Sequence, residues 1–171
     1  MIIVTGPRNS GKTTFLYALC ARLERAGYSI GGIGQVPPLS KSAKTTLTLS
    51  DLMDGEVRIL MDTQARVGWA RRGRFYIDYG AFEWANWRLM EHAKRADYLV
   101  IDEIGPIELT KGGFYPALEV IFNSYQGTVI AVVRDKLLDS FIKFYRLNTP
   151  LLTILRVREE WEKELSKVVV V

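Results

Sequence analysis

The sequence predicts an α/β protein: a mainly parallel sheet in a three-layer arrangement with helices, interrupted by an inserted antiparallel hairpin. Three observations predict it. Apolar, β-branched runs alternate with helix-patterned stretches at both ends of the chain, the order that builds a parallel sheet through helical crossovers. The run Thr128–Val133 contains only Thr, Val, Ile and Ala, as expected of a strand covered on both faces. In the middle, apolar residues alternate on either side of Asp54-Gly55, a two-residue hairpin signal.

Met1–Thr5 is short, apolar and β-branched, and reads as a buried first strand. Gly6-Pro7-Arg8-Asn9-Ser10-Gly11-Lys12-Thr13 follows at once and fits G-x-x-x-x-G-K-[ST] at every fixed position. Phe15, Leu16, Leu19, Cys20 and Leu23 then recur like one face of a helix that stops at Gly27. Strand, glycine-bounded loop and helix together make a phosphate site. The first amides of a helix have no intrahelical acceptor and carry the positive end of its dipole. Gly6 and Gly11 allow the backbone to wrap an anion without a Cβ in the way. The expected binding residues are Gly6, Pro7, Arg8, Asn9, Ser10, Gly11, Lys12, Thr13 and Thr14. Lys12 would reach the β- and γ-phosphates, and the Thr13 hydroxyl would ligate Mg²⁺.

Tyr28–Val36 is a second strand whose Gly31, Gly32 and Gly34 mark bulges or close backbone approaches. Pro37-Pro38 stops it, and Leu39–Lys44 is a polar loop. Thr45–Leu52 and the return through Val57, Ile59 and Met61 form the hairpin, within an insertion over about 37–79. Gln64–Arg74 has the weakest pattern and reads as the least structured stretch. Phe75–Asp78 is a short strand or an extended lead-in. Gly80–Arg95 is helical, with Phe82, Ala85, Leu89 and Ala93 on one face.

Tyr98–Ile101 is a buried strand running into Asp102-Glu103. Gly113–Tyr125 is a helix with Pro116 in its first turn, where proline is tolerated. After the Thr128–Val133 strand, Asp135 is placed to cap a helix that turns Leu138, Phe141, Ile142 and Tyr145 inward. Leu151–Val157 is a last strand, Arg158–Lys167 a charged helix, and Val168–Val171 an edge strand or a disordered tail.

With 171 residues, 48% hydrophobic and 25% charged, the chain is expected to form one domain over 1–171. A net charge of +4 suits a polyanionic ligand. Cys20 and His92 are the only residues of their kinds, which excludes an internal disulfide and argues against a thiolate metal cluster or a histidine-based triad. His92 reads as a surface or packing residue. The first strand begins at residue 1 and no apolar run approaches the ~20 residues that span a bilayer. No leader and no membrane are therefore expected, and the cytoplasm follows.

Nucleotide hydrolysis needs a metal opposite the lysine and a group that orients or deprotonates the attacking water. Asp102, closing an apolar strand, is placed to hold the metal, commonly through a water. Side chains leaving a strand end point to opposite sides, so Glu103 is free for a different task, polarising water against the γ-phosphate. Read apart from the loop, the same two acids could be solvated residues at a strand terminus.

Gly6–Thr14, the stretch Asp102-Glu103-Ile104-Gly105-Pro106-Ile107-Glu108-Leu109 and the strand ending in Arg134 together resemble one family. It is the thermophilic-type and cancer-related nucleoside-triphosphatase family, of the RecA-like branch with an additional strand and a catalytic glutamate. Gly31-Gly32 and Gly73-Arg74-Phe75-Tyr76 are weaker echoes of it. After Gly31-Gly32 the chain departs from the family's pattern, with Pro37-Pro38 and a polar loop in place of an arginine-containing strand and a Gly-Phe pair. The resemblance implies a P-loop NTPase fold and Mg²⁺-dependent hydrolysis of ATP, GTP and other nucleoside triphosphates to diphosphate and phosphate. It also implies roles: Lys12 on phosphate, Thr13 and Asp102 on the metal, Glu103 on water, and Arg134 toward the γ-phosphate, where a cation stabilises transition-state charge.

Two other readings stand beside it. The chain is of a size with small nucleotide or nucleoside kinases, and the arginines at 66–74 could clamp an acceptor's phosphate. Alternatively it is a nucleotide-dependent binder of RNA or DNA. Trp69 would then stack on bases, while Arg71, Arg72 and Arg74 contact phosphates across the Arg66–Arg74 region.

Overall fold

A computed structural model of the chain describes residues 1–36, 46–158 and 165. The opening run forms β1 (Ile2–Gly6), buried throughout. Its pleat sends Ile2 and Val4 to one face of the sheet and Ile3 to the other. The expected amphipathic helix is α1 (Lys12–Arg25); Phe15, Leu16, Leu19, Cys20 and Leu23 all face the sheet, and Gly27 ends it with a left-handed φ of 91°.

Next come β2 (Ile30–Val36), β3 (Leu47–Asp51), β4 (Val57–Asp62), β5 (Ala70–Arg72) and β6 (Phe75–Ile77). They are followed by α2 (Tyr79–His92), β7 (Tyr98–Ile104), α3 (Tyr115–Ser124), β8 (Thr128–Arg134), α4 (Leu138–Phe144) and β9 (Thr153–Arg156). The strands make one sheet in the order β5-β6-β4-β3-β2-β7-β8-β1-β9. From β2 to β9 the pairings are parallel; from β2 outward to β5 they are antiparallel. Thr128–Val133 is central, as its composition requires, paired to β7 on one side and β1 on the other. Helix α1 covers one face, while α2, α3 and α4 bury Phe82, Leu89, Leu118, Ile121 and Phe141 on the other. The α/β layering matches the expectation from sequence.

Several local expectations need correction. Gln64–Arg74 divides: 64–69 holds only bends and turns, as expected, but Ala70–Arg72 pairs with Phe75–Ile77 about Gly73, whose φ is 60°. The insertion is therefore two hairpins, and a strand as short and charged as Ala-Arg-Arg is what an exposed sheet edge tolerates. Asp135 does not cap α4. A 3₁₀ turn over Asp135–Leu137 intervenes, and the Asp135 carboxylate accepts from the Lys136 amide at 2.9 Å. Pro150 likewise begins a 3₁₀ turn at Thr149–Leu151, which delays the last strand to Thr153. The Pro37-Pro38 stop and the loop after it, the helix expected over 158–167 and the tail over 168–171 fall wholly or mostly outside the described residues.

The glycines of β2 serve close packing. A Cβ on Gly32, whose φ is 122°, would stand 2.0 Å from the Val100 carbonyl oxygen of the neighbouring strand. No side chain can yield there, because the obstacle is backbone. Gly32→Ala is expected to cost about 3 kcal/mol or more, read as a lower denaturant midpoint. An unchanged midpoint would mean that the β2–β7 pairing is not as described.

His92 is a buried packing residue. Its Nδ1 accepts the Gly32 amide at 2.8 Å, and its Nε2 stands 3.2 Å from Asp51 Oδ2. Arg88 pairs with Asp51 and Asp54, tying α2 to the turn of the first hairpin. Among the described residues no helix is long and apolar enough to cross a membrane.

Candidate functional site

β1 delivers the chain to the sheet's carboxyl edge, and the loop after it turns back into α1. Two glycines make this possible for different reasons. Gly11 occupies the N-cap in a left-handed conformation, φ 85°. Gly6 passes under the Val157 carbonyl, which a Cβ would meet at 2.5 Å. The glycine expected to make room for a ligand instead makes room for the backbone beside β9.

Phe15 N bonds to Gly11 O at 2.9 Å, so the amides of Lys12, Thr13 and Thr14 lie ahead of the first intrahelical bond. No acid of the helix's own first turn offsets its positive end. Lys12 Nζ donates to the carbonyls of Gly6 (3.1 Å) and Pro7 (2.6 Å), so the ammonium lies inside the curve of the loop. Burial lowers its pKa, against a smaller opposing pull from Glu103.

The acids arrive from β7, and they arrive together. Ile101 pairs with Ala131 and Ile104 with Val133, so Asp102 and Glu103 share the space opposite Val132. This is a β-bulge, with Glu103 at φ 68°. Ile101 and Ile104 consequently both face the α2–α4 core. Both acids line one cleft with the loop, so the expectation that they leave the strand to opposite sides is corrected: the extra residue removes the alternation.

Asp102 is 1% exposed. Its Oδ2 accepts the Gln35 amide at 3.2 Å, and the nearby Thr13 side chain favours its charged form. Its Oδ1 is buried without a hydrogen-bond partner among the described residues. Glu103 Oε2 accepts from Gln35 Nε2 (2.9 Å) and Oε1 from Arg134 Nε (2.5 Å). Burial pushes the Glu103 carboxyl up, but the bonds from Gln35 and Arg134 outweigh it and hold the group below the usual carboxylate range. Burial dominates at Asp102 and raises it to about 7.

That shift has a consequence for stability. Unfolded, Asp102 ionises near 3.8. Between that value and about 7 the folded state keeps a proton that the unfolded state releases, so stability falls as pH rises across this window. The penalty is complete above it. Asp102→Asn is expected to raise the melting temperature at pH 8, without metal or nucleotide, and to change it little at pH 4. A gain of equal size at both pH values would count against burial as the cause.

The cleft, of about 610 Å³, is lined by Arg8–Thr14, Gln35, Asp102, Glu103, Val132 and Arg134, and by Val36, Thr46, Leu47, Met61, Arg74 and Phe75. Of the residues singled out in the sequence, Arg8, Asn9, Ser10, Gly11, Lys12, Thr13, Thr14, Asp102, Glu103 and Arg134 are brought together on its wall. Gly6 and Pro7 lie beneath, where they hold Lys12. Arg71 and Arg72 are on the exposed edge strand, outside the cleft, while Arg74 reaches it. Sequence reasoning missed Gln35, which bonds to both acids and whose carbonyl accepts from Tyr17 at 3.0 Å. Only its position at the end of a glycine-laced strand could have suggested it.

A model of the NTPase family matches residues 1–169. The nucleoside-triphosphatase THEP1 of Pyrococcus abyssi is 30% identical over 81% of this chain and 76% of its own. That of Methanosarcina acetivorans is 28% identical over 90% and 86%. The solution structure of a human cancer-related nucleoside triphosphatase superposes with a TM-score of 0.74 at 21% identity, over 98% of this chain and 94% of that one.

Proposed function

This chain belongs to the NTPase family and is a nucleoside-triphosphatase; from that premise we propose that it is Mg²⁺-dependent and cleaves ATP, GTP and other nucleoside triphosphates to diphosphate and inorganic phosphate. The observation that carries this is the bulge in β7, which turns Asp102 and Glu103 together into the cleft beneath the phosphate loop.

The residues present fit a divalent ion. Asp102 Oδ1 is a buried carboxylate oxygen without a partner among the described residues, and the Thr13 side chain lies near the same carboxylate. Mg²⁺ takes few protein ligands and fills its octahedron with water and phosphate, so Thr13 and Asp102 suffice. When bound, the ion offsets negative charge on the β- and γ-phosphate oxygens.

The chain's own groups do the rest. Amides from Arg8 to Thr14 and the Lys12 ammonium receive the β- and γ-phosphates. Glu103, ionised, accepts a hydrogen bond from the attacking water and orients it in line with the γ-phosphorus. The water oxygen bonds to phosphorus, the bridging P–O bond breaks with its electron pair passing to the β-phosphate, and the water's proton leaves by way of Glu103. Gln35 keeps the Glu103 carboxylate in register. Arg134 uses one N–H on Glu103, and its other guanidinium N–H groups can meet charge developing on the terminal phosphate.

We further infer that residues 1–171 act as one domain, supported by the single sheet that runs through all described strands. The test is phosphate release from several nucleoside triphosphates, with Mg²⁺ and with EDTA. Release across bases that stops in EDTA is expected; pyrophosphate as product, or turnover indifferent to EDTA, would overturn the proposal.

A further inference from the structure

The two halves of the cleft differ in chemistry. Sheet order places β3, β4 and β6 outboard of β2 and β7, on the side away from β1 and the phosphate loop. The inboard half is the loop with Lys12, Thr13 and the acids. The outboard half, beyond Gln35 and Glu103, is walled by Leu47, Met61, Arg74 and Phe75.

A terminal phosphate seated against Lys12 has no use for that wall, because apolar surface beside a multiple charge costs solvation without returning a hydrogen bond. Leu47, Met61 and Phe75 instead suit the body of a second molecule. Arg74 supplies the charge. Of the arginines that line the cleft, Arg134 pairs with Glu103, while Arg8 and Arg74 form no ion pair among the described residues, and Arg74 is the one on the outboard wall. Its guanidinium carbon lies 4.7 Å over the Phe75 ring, so a ring and a fork of N–H donors are presented together.

We propose that the outboard half is a subsite for a small phosphate monoester carrying a planar ring, the class to which nucleoside monophosphates belong. Its phosphate pairs with Arg74 and its body packs on Phe75, Met61 and Leu47. It thereby occupies the cleft beside Glu103, on the far side of the acids from the loop. The location rests on the triphosphatase reading of the inboard half.

The test is calorimetric titration of the full chain with AMP, GMP, CMP and UMP, alone and after saturation with Mg·ADP. At least one monophosphate should bind with ADP still in place. Arg74→Ala should weaken it tenfold or more and Arg74→Lys less. Lys12→Ala and Arg71→Ala should leave it within about twofold. Absence of binding by all four overturns the subsite, as does simple displacement of ADP or dependence on Lys12. Equal weakening by Arg71→Ala and Arg74→Ala, with an oligonucleotide competing more tightly than any monophosphate, would mean a cationic surface for nucleic acid instead. Failure of Mg·ADP to bind would count against the triphosphatase reading alone, because the Lys12 and Arg74 comparison in the absence of ADP still reads the subsite.

Discussion

Glu103→Gln should lower nucleoside-triphosphate turnover by ~10² or more while leaving Mg-nucleotide affinity within a few-fold of the parent. The asymmetry follows from the geometry. In the proposed mechanism the amides of the loop and α1, Lys12 and the Thr13–Asp102 pair hold substrate without help from Glu103. What the proposal assigns to Glu103 is an ionised oxygen for the attacking water, and Gln35 and Arg134 hold its pKa down despite burial. The amide conserves shape and retains one acceptor, so the bulge and its φ of 68° have no reason to relax. Single-turnover hydrolysis and equilibrium binding of a fluorescent nucleotide, measured on the same preparation, separate the two effects. Parallel loss of both would make Glu103 a structural support of the bulge and remove it from the chemistry.

Lys12→Ala should abolish detectable turnover and weaken nucleotide binding by ~10²-fold, since a hydrogen bond to a charged group contributes about 1.5–3 kcal/mol and this one meets a multiply charged anion. The folded protein should not suffer in proportion. Burial already penalises this ammonium, as its lowered pKa shows, and its partners in the loop are neutral carbonyls of Gly6 and Pro7. The variant is therefore expected to melt at or above the parent temperature while losing function. A melting temperature well below the parent would mean that Lys12 braces the loop, and the binding loss could then no longer be assigned to a missing phosphate contact.

Much of the site was legible because its chemistry is local. The loop spans a handful of consecutive residues, and its glycines, lysine and threonine act within one turn of the backbone that carries them. Asp102 could be recognised from the apolar strand that it closes, since a charge at the end of a buried run must emerge at a sheet edge. The place of the first hairpin was equally plain, because Asp54-Gly55 lies in its turn, although strands ending at Asp51 and starting at Val57 make the connection five residues and not the two expected. The second was not. Arginines lack a strand pattern, and Ala70–Arg72 becomes a strand only because Phe75–Ile77, itself paired to β4, offers a free edge. The Asp135 cap failed for a similar reason: a capping residue chosen by type competes with a 3₁₀ turn that the approach from β8 prefers.

The amino-acid sequence by itself determined the α/β class, the phosphate loop at the first strand-to-helix turn, the central strand and the identity of the paired acids. Each follows from short-range periodicity or from a residue type demanded by local backbone geometry. Only the tertiary structure decided that both acids face the same cleft, that Gln35 joins them, that Gly6 makes way for Val157, and that Arg74 alone of the 71–74 arginines reaches that cleft. The physical reason is common to all four. Each depends on which strands become neighbours, and that is settled by burying apolar faces across the whole sheet, a balance that no stretch of a few residues contains.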